Sequence, residues 1–398
     1  MIYLVPLIIC FFLFLRYDLS NNQKGKTEWF YALLIVFIAI SGFSYNIGAD
    51  TPGYMYEYDS YKWSSITKIS DLSDFNHRQP GWVLLNLICK SISSDYLLFQ
   101  MINAIFFNVV IFLFVRKHCD YLFLGIFFYA IVLYLQLNFN ALRQAYAICF
   151  FLLGYNCLIK REYIKYYIFA ILAFSFHISA VIVFIIPFFS IVKLNRTTIL
   201  IAGCLLFALV YAALQLDLVY YFSSFFADML LEEGAMQNVG ELGEKFLSSR
   251  YERTESTNLL GIIETLIRVA IMIFVTFYYY SHNKKSNNYW NGMLLLYCAC
   301  GLLDYVVPVM FYRAKEYFEI IYYCSLSYCI VDLGNKMFKK NKIIIAAVCI
   351  AFAVTPIKTT LSINPSSGIP LIRQFYPYYS VFNKRIDPVR DATFGSHK

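Results

Sequence analysis

The sequence predicts an all-α polytopic membrane protein with about twelve transmembrane helices. Three observations predict it. Sixty per cent of the 398 residues are apolar. Aromatic residues make up 19% and charged residues only 15%, against about 25% charged in ordinary soluble domains. The apolar residues gather in long runs, and a soluble core of this length cannot bury so much apolar surface. This excludes a secreted domain, a disordered protein and most soluble enzymes. The net charge of +8 does not indicate nucleic acid binding, because the basic residues stand in short groups between apolar runs and form no arm or face.

A spanning helix needs about 20 mostly apolar residues. The runs that meet or approach this are 1–15, 28–44, 96–115, 119–136, 143–159, 163–176, 178–192, 197–216, 258–280, 289–308, 314–333 and 342–357. The first run has no basic segment before it and no small-residue cleavage site after it, so it is expected to be a retained helix and not a signal peptide. Residues 81–93 are apolar but broken by Asn86 and Lys90, which predicts a re-entrant or interfacial helix. Most of the eleven cysteines lie inside apolar runs and none form CxxC pairs, so neither a disulfide framework nor a zinc site is expected. No internal repeat or soluble domain boundary is evident, and 1–398 is expected to be a single integral membrane domain.

Lys and Arg set the orientation. Arg16, Lys24 and Lys26, then Arg116 and Lys117, then Lys160, Arg161 and Lys165, fall on alternate loops. Lys193 and Arg196, Lys284 and Lys285, and Lys336 to Lys342 continue the pattern. These loops define the cytoplasmic face and place both termini on the other side. The opposite face receives the outer loops 45–80 and 217–257 and the outer C-terminal tail 358–398. The two loops are rich in acids, among them Asp50, Glu57, Asp59, Asp71 and Asp74 in the first. Long loops in a compact membrane protein are often functional. A solvated excursion with no function is the plainer reading for much of 228–257.

Charged residues inside spans are expensive and are usually paired or functional. Glu264 and Arg268 lie four residues apart on one helix face, roughly 9 and 15 Å deep at 1.5 Å per residue. They read either as an ion pair holding two helices in register or, for Arg268, as a ligand for an anionic substrate. Arg143 and Arg313 start helices at the outer boundary, where an arginine can also snorkel to headgroups. His177 marks the turn between two short helices at the same side, beside Ser175 and Ser179. Arginines grip phosphate bidentately and stay charged at any working pH, so their convergence beneath one face points to a phosphate or pyrophosphate headgroup. Acids in the adjacent loop would supply a general base. Phe375, Tyr376, Tyr378 and Tyr379 in the tail offer sugar-stacking surfaces. There is no P-loop, Rossmann GxGxxG or DxD motif to bind a cytoplasmic nucleotide donor.

Four segments carry a resemblance. They are Ile47-Gly48-Ala49-Asp50-Thr51-x-x-Tyr54, Asn140-x-x-Arg143-Gln144 with Ala147, Phe176-His177-x-Ser179-Ala180, and Arg313-x-x-x-Tyr317-Phe318. In this order, over roughly 40–330, the chain resembles the EpsG-type branch of the Wzy polysaccharide polymerases. The resemblance implies a GT-C-like fold in the bacterial inner membrane and no metal or cofactor. Its implied substrates are undecaprenyl-pyrophosphate-linked oligosaccharides, with a chain-length regulator protein as an expected partner. It implies that a growing glycan passes to the next lipid-linked repeat unit on the non-cytoplasmic side. Arg143 and Arg313, with Arg268, would then hold the donor pyrophosphate, together with Gln144 and Tyr317. Asp50 or His177 would act as base, and Thr51 and Tyr54 would shape the loop or contact sugar. A lipid-linked oligosaccharide flippase, an O-antigen ligase and a scaffolding protein remain as alternatives. The flippase would show two-fold internal similarity, and the scaffold would leave the three arginines unexplained.

Overall fold

The computed structural model describes residues 2–20, 22–65, 78–191, 259–284, 286–304, 308–337, 341–363 and 368–394, with scattered positions between 195 and 208. The expected loop 217–257 lies outside the described residues, as do Asp71, Asp74 and most of the run 197–216. The chain is all-α, with no named strand among the described residues.

The helices follow the apolar runs. They are α1 (Leu4–Leu13), α2 (Lys26–Gly42), α3 (Thr51–Ser60), α4 (Pro80–Ile92), α5 (Tyr96–His118), α6 (Leu122–Val132), α7 (Leu142–Ile159) and α8 (Tyr163–Phe176). After a 3-10 helix at Ile178–Ser190 come α9 (Leu259–His282), α10 (Asn288–Leu303), α11 (Pro308–Met337), α12 (Lys342–Leu361) and the short α13 (Pro388–Phe394). Local chemistry sets the boundaries. Asp95 caps α5 by accepting from the Leu97 amide at 2.9 Å, and Asn341 caps α12 through the Ile343 amide at 3.0 Å. Pro80 opens α4 at a first-turn position, where its missing N–H costs nothing.

By length and composition, α5, α7 and α12 are long and apolar enough to cross a membrane. At 1.5 Å per residue, the 18 residues of α7 already reach roughly 27 Å. Helices α4, α6 and α8 and the 3-10 helix are apolar but shorter. Ile164, Ile168 and Ile171 on α8, and Ile343, Ile350 and Val354 on α12, are exposed, as expected of surfaces that lipid covers.

Two sequence-drawn boundaries change. The helix expected at 314–333 starts at Pro308, so Arg313 lies inside its second turn and not at its opening. The segment 178–190 winds as a 3-10 helix. It holds Pro187, which donates no backbone bond, and a run of β-branched residues that pack poorly in an α-helix.

Two compact units form. One comprises Met1–Ile178 with Ile330–Lys398, and the other Ser179–Cys329. In the first, α7 packs on α8 and α5, α2 on α5, and α1 on α6. Several of its interior polar groups pair with one another, as a low-dielectric interior favours. Asn108 donates to Asn138 at 2.9 Å, the Asn138 amide to the Tyr129 hydroxyl at 3.1 Å, and the Tyr146 hydroxyl to Asn103 at 2.6 Å. In the second unit, α9 packs on α10. Trp290 of α10 donates to Ser325 of α11 at 2.8 Å, and Tyr297 stacks on Tyr322 at 4.3 Å.

Candidate functional site

The first unit brings three of the four sequence segments together. Just before α7, residues Gln136–Asn140 form a π-helical turn. Irregular winding of this kind leaves backbone carbonyls without helical partners, and here they serve the loop that leads into α3. The Thr51 hydroxyl bonds the Phe139 carbonyl at 2.9 Å, and the Tyr54 hydroxyl donates to the Asn140 carbonyl at 2.8 Å. The Asn140 side chain accepts from the Ala49 amide at 2.8 Å. Gly48 lies at φ +101°, and a Cβ there would stand 2.4 Å from the Phe139 carbonyl oxygen. Only glycine fits that left-handed, crowded position.

Trp82 on α4 is the hub. It is fully buried and its ring lies 5.1 Å from Tyr54, 5.3 Å from Phe99 and 6.4 Å from Tyr146. Tyr146 in turn stacks on Phe176 at 4.8 Å. The start of α4 presses against the end of α8, since a Cβ on Gly81 would meet the Ser175 Oγ at 2.5 Å. The segment read from sequence as re-entrant or interfacial therefore links the motif of Asp50 and Tyr54, the motif of Arg143 and the motif of His177.

A charge cluster surrounds this hub. The buried Glu57 accepts from Arg78 through Nε at 2.9 Å and through Nη2, and from the Trp82 indole at 3.2 Å. Arg143 donates through Nη1 to the Gln79 side chain at 2.8 Å, while its Nε is buried without a hydrogen-bond partner. Burial pushes the Tyr54 phenol up to about 12; the Arg143 charge works against that and Asp50 with it. Burial alone would lower the Arg78 pKa, but the hydrogen bond and charge of Glu57 hold it above the usual value. Gln144 is buried. Asp50 is exposed at the N-cap position of α3, where its side chain makes no cap bond. His177 is half-buried at the break between α8 and the 3-10 helix, in extended backbone.

The tail completes the first unit. Arg390 is 2% exposed and donates to the carbonyls of Asn46 (2.6 Å), Pro377 and Arg373. Tyr45 bonds Tyr379, Gly48 bonds Gln374 and Val381 bonds Phe43, all backbone to backbone. The sugar-stacking role expected of the tail aromatics changes accordingly. Phe375 is buried beside Phe139, and the Tyr378 hydroxyl donates to the Ile40 carbonyl at 2.9 Å. Tyr376 remains exposed.

Arg268, Arg313 and Tyr317 belong to the second unit. Arg268 is exposed on α9, and the side chain of its expected partner Glu264 lies outside the described residues. Arg313 stands 3.6 Å from the buried Glu316, and Lys315 stands 3.4 Å from Asp304. The Tyr317 hydroxyl meets Ser179 of the same unit at 3.1 Å.

Reasoning from sequence passed over Glu57 as one loop acid among several, and Arg78, Trp82 and Arg390 altogether. One signal was present. Asp50, Tyr54, Glu57 and Tyr61 follow a four-three-four spacing, which marks one helix face.

A family model described as the EpsG family matches residues 27–380. The chain belongs to the EpsG family. EpsG membership together with the apolar helices makes it a membrane protein of polysaccharide biosynthesis, with a polymerase-type glycosyltransferase association. No curated protein and no solved structure gives a match.

Proposed function

We propose that the chain is a polysaccharide polymerase of the Wzy kind. It joins undecaprenyl-pyrophosphate-linked repeat units on the non-cytoplasmic face of the bacterial inner membrane. The observation that carries this reading is Arg143. It sits among three family segments with a neutral amide as hydrogen-bond partner and a buried Nε lacking one. A buried cationic donor left unpaired is costly, and an oxyanion ligand would relieve that cost.

In the reaction, the hydroxyl of the acceptor repeat unit attacks the anomeric carbon of the donor glycan. A new C–O bond forms and the bond from that carbon to the pyrophosphate oxygen breaks. The electron pair leaves with undecaprenyl pyrophosphate, so a single displacement inverts the anomeric centre. Arg143 holds the pyrophosphate and stabilises the departing charge, and Arg268 and Arg313 of the second unit bind anionic substrate by the same chemistry. Gln144 and Tyr317 contact the pyrophosphate or sugar. Asp50 or His177 takes the hydroxyl proton; Asp50, exposed beside Tyr54, has the access that a base needs. Thr51 and Tyr54 shape the loop that presents it. The same reading includes about twelve spans, a GT-C-like arrangement and both termini outside the cytoplasm.

The test is deletion of the gene in its own host, with surface glycan run on a gel. Collapse of the ladder to a single repeat unit on its anchor supports the polymerase. Loss of all repeat units, with lipid-linked units accumulating inside, would replace it with a flippase. Polymer retained on undecaprenyl pyrophosphate would replace it with a ligase.

A further inference from the structure

Arg78 and Arg143 belong to one cluster. Arg143 is bonded to Gln79 at 2.8 Å, and Gln79 directly follows Arg78 in the extended lead into α4. The charges of both arginines act on the same two phenols, Tyr54 and Tyr61. Arg78 contacts Glu57 through its Nε–Nη2 edge. A guanidinium has a second edge, Nη1–Nη2, that can grip another oxyanion in the same plane. The Arg78 side chain is 27% exposed, so the residue is not sealed off from a ligand. Glu57 is oriented independently of Arg78, because its other oxygen accepts from Trp82 at 3.2 Å. It therefore aims Arg78 without being consumed by it. Arg143 brings the complementary feature, a buried Nε without a hydrogen-bond partner.

We propose that Arg78 is a second anion-binding residue of this site. It and Arg143 each take one phosphate of a single pyrophosphate, and Glu57 is the positioning residue that aims Arg78. The inference rests on the polymerase reading, in which Arg143 meets a pyrophosphate, and adds a partner on the same unit. Two guanidiniums on two linked phosphates also make the site select pyrophosphate over a lone phosphate.

The test uses the full chain in lipid nanodiscs, titrated with inorganic pyrophosphate and, separately, inorganic phosphate. The wild type is expected to prefer pyrophosphate by about tenfold or more, an energy within reach of one added charge-assisted contact. Arg78→Gln is expected to abolish that preference while leaving phosphate affinity within about twofold. Arg78→Lys, which keeps the charge and the Glu57 pairing, guards against misfolding and is expected to restore part of the preference. Glu57→Gln is expected to weaken pyrophosphate binding and leave phosphate binding unchanged, a split that a purely structural role would not give. An undiminished preference in Arg78→Gln, or no preference in the wild type, would overturn the proposal. Its failure is separable from that of the polymerase reading: Arg78→Gln restoring a normal glycan ladder in a deletion host that lacks one defeats only Arg78. A deletion host that keeps its ladder defeats the polymerase.

Discussion

The two units hold their charges differently. In the first, Glu57 is met by Arg78 and Trp82 at hydrogen-bond length, and Arg143 bonds Gln79 at 2.8 Å. In the second, the Arg313–Glu316 and Lys315–Asp304 contacts are 3.6 and 3.4 Å, and Glu319 lies buried on the same helix. Short directional bonds fix where a guanidinium points. Looser ion contacts fix only that opposite charges are near. The first cluster is thus built for orientation and the second for charge compensation, and substitutions that separate shape from charge divide them.

The largest effect is expected at the arginines. Arg143→Ala and Arg313→Ala should both abolish chain extension, read as collapse of the glycan ladder, while each protein still inserts. The lysine variants sharpen the contrast. Arg143→Lys should remain inactive, because an ammonium cannot reproduce a planar fork. Arg313→Lys should keep measurable extension, because an ammonium can still meet Glu316 at the 3.6 Å length of this contact. Full activity of Arg143→Lys would reduce the first site to simple positive charge.

Stability should divide the same way. Glu57→Gln leaves Arg78 without its counter-charge and is expected to cost about 2–4 kcal/mol, read as a lowered unfolding midpoint in detergent. Glu316→Gln removes the charge but keeps an acceptor for Tyr312 and Arg313, so it should cost less than Glu57→Gln, about 1 kcal/mol. Arg390→Gln comes next. It removes bonds to three carbonyls and should cost about 1–3 kcal/mol while slowing extension several-fold, because the loop before Asp50 loses its support.

The smallest effect lies away from both clusters. Asp18 accepts from the Phe123 and Leu124 amides at 2.7 and 3.1 Å and pairs with Lys26 at 3.3 Å. Burial pushes its carboxyl up to about 6. The folded state therefore holds the proton more tightly than the unfolded chain, whose carboxyl titrates near 3.8. This group's contribution is complete below about pH 4 and is lost as pH rises through about 6. Asp18→Asn should flatten the change in melting temperature across that window, and an unaltered slope would remove Asp18 as its source.

The helices were legible because lipid-facing and core-facing positions are both apolar, so each element wrote itself as a run. Tyr96–His118 and Leu142–Ile159 match their runs to within a few residues. The site was only half legible. Arg143 and Asp50 stood out as polar residues at the ends of apolar runs. Glu57 and Arg78 did not, because an acid and a base twenty-one residues apart in a polar loop have no pattern that declares them a pair. Arg390 was hidden more deeply. Its partners are backbone carbonyls, which every residue has and no sequence distinguishes.

That tail has a consequence for the order of events in the cell. Arg390 closes on Asn46, 344 residues earlier in the chain. At about 5–20 residues per second of synthesis, the segment carrying Asp50 emerges on the order of tens of seconds before the strap that secures it. A nascent or prematurely terminated chain can place its helices and still lack a fastened loop. The loop before Asp50 is therefore fastened only once residue 390 has been made and has folded back onto Asn46.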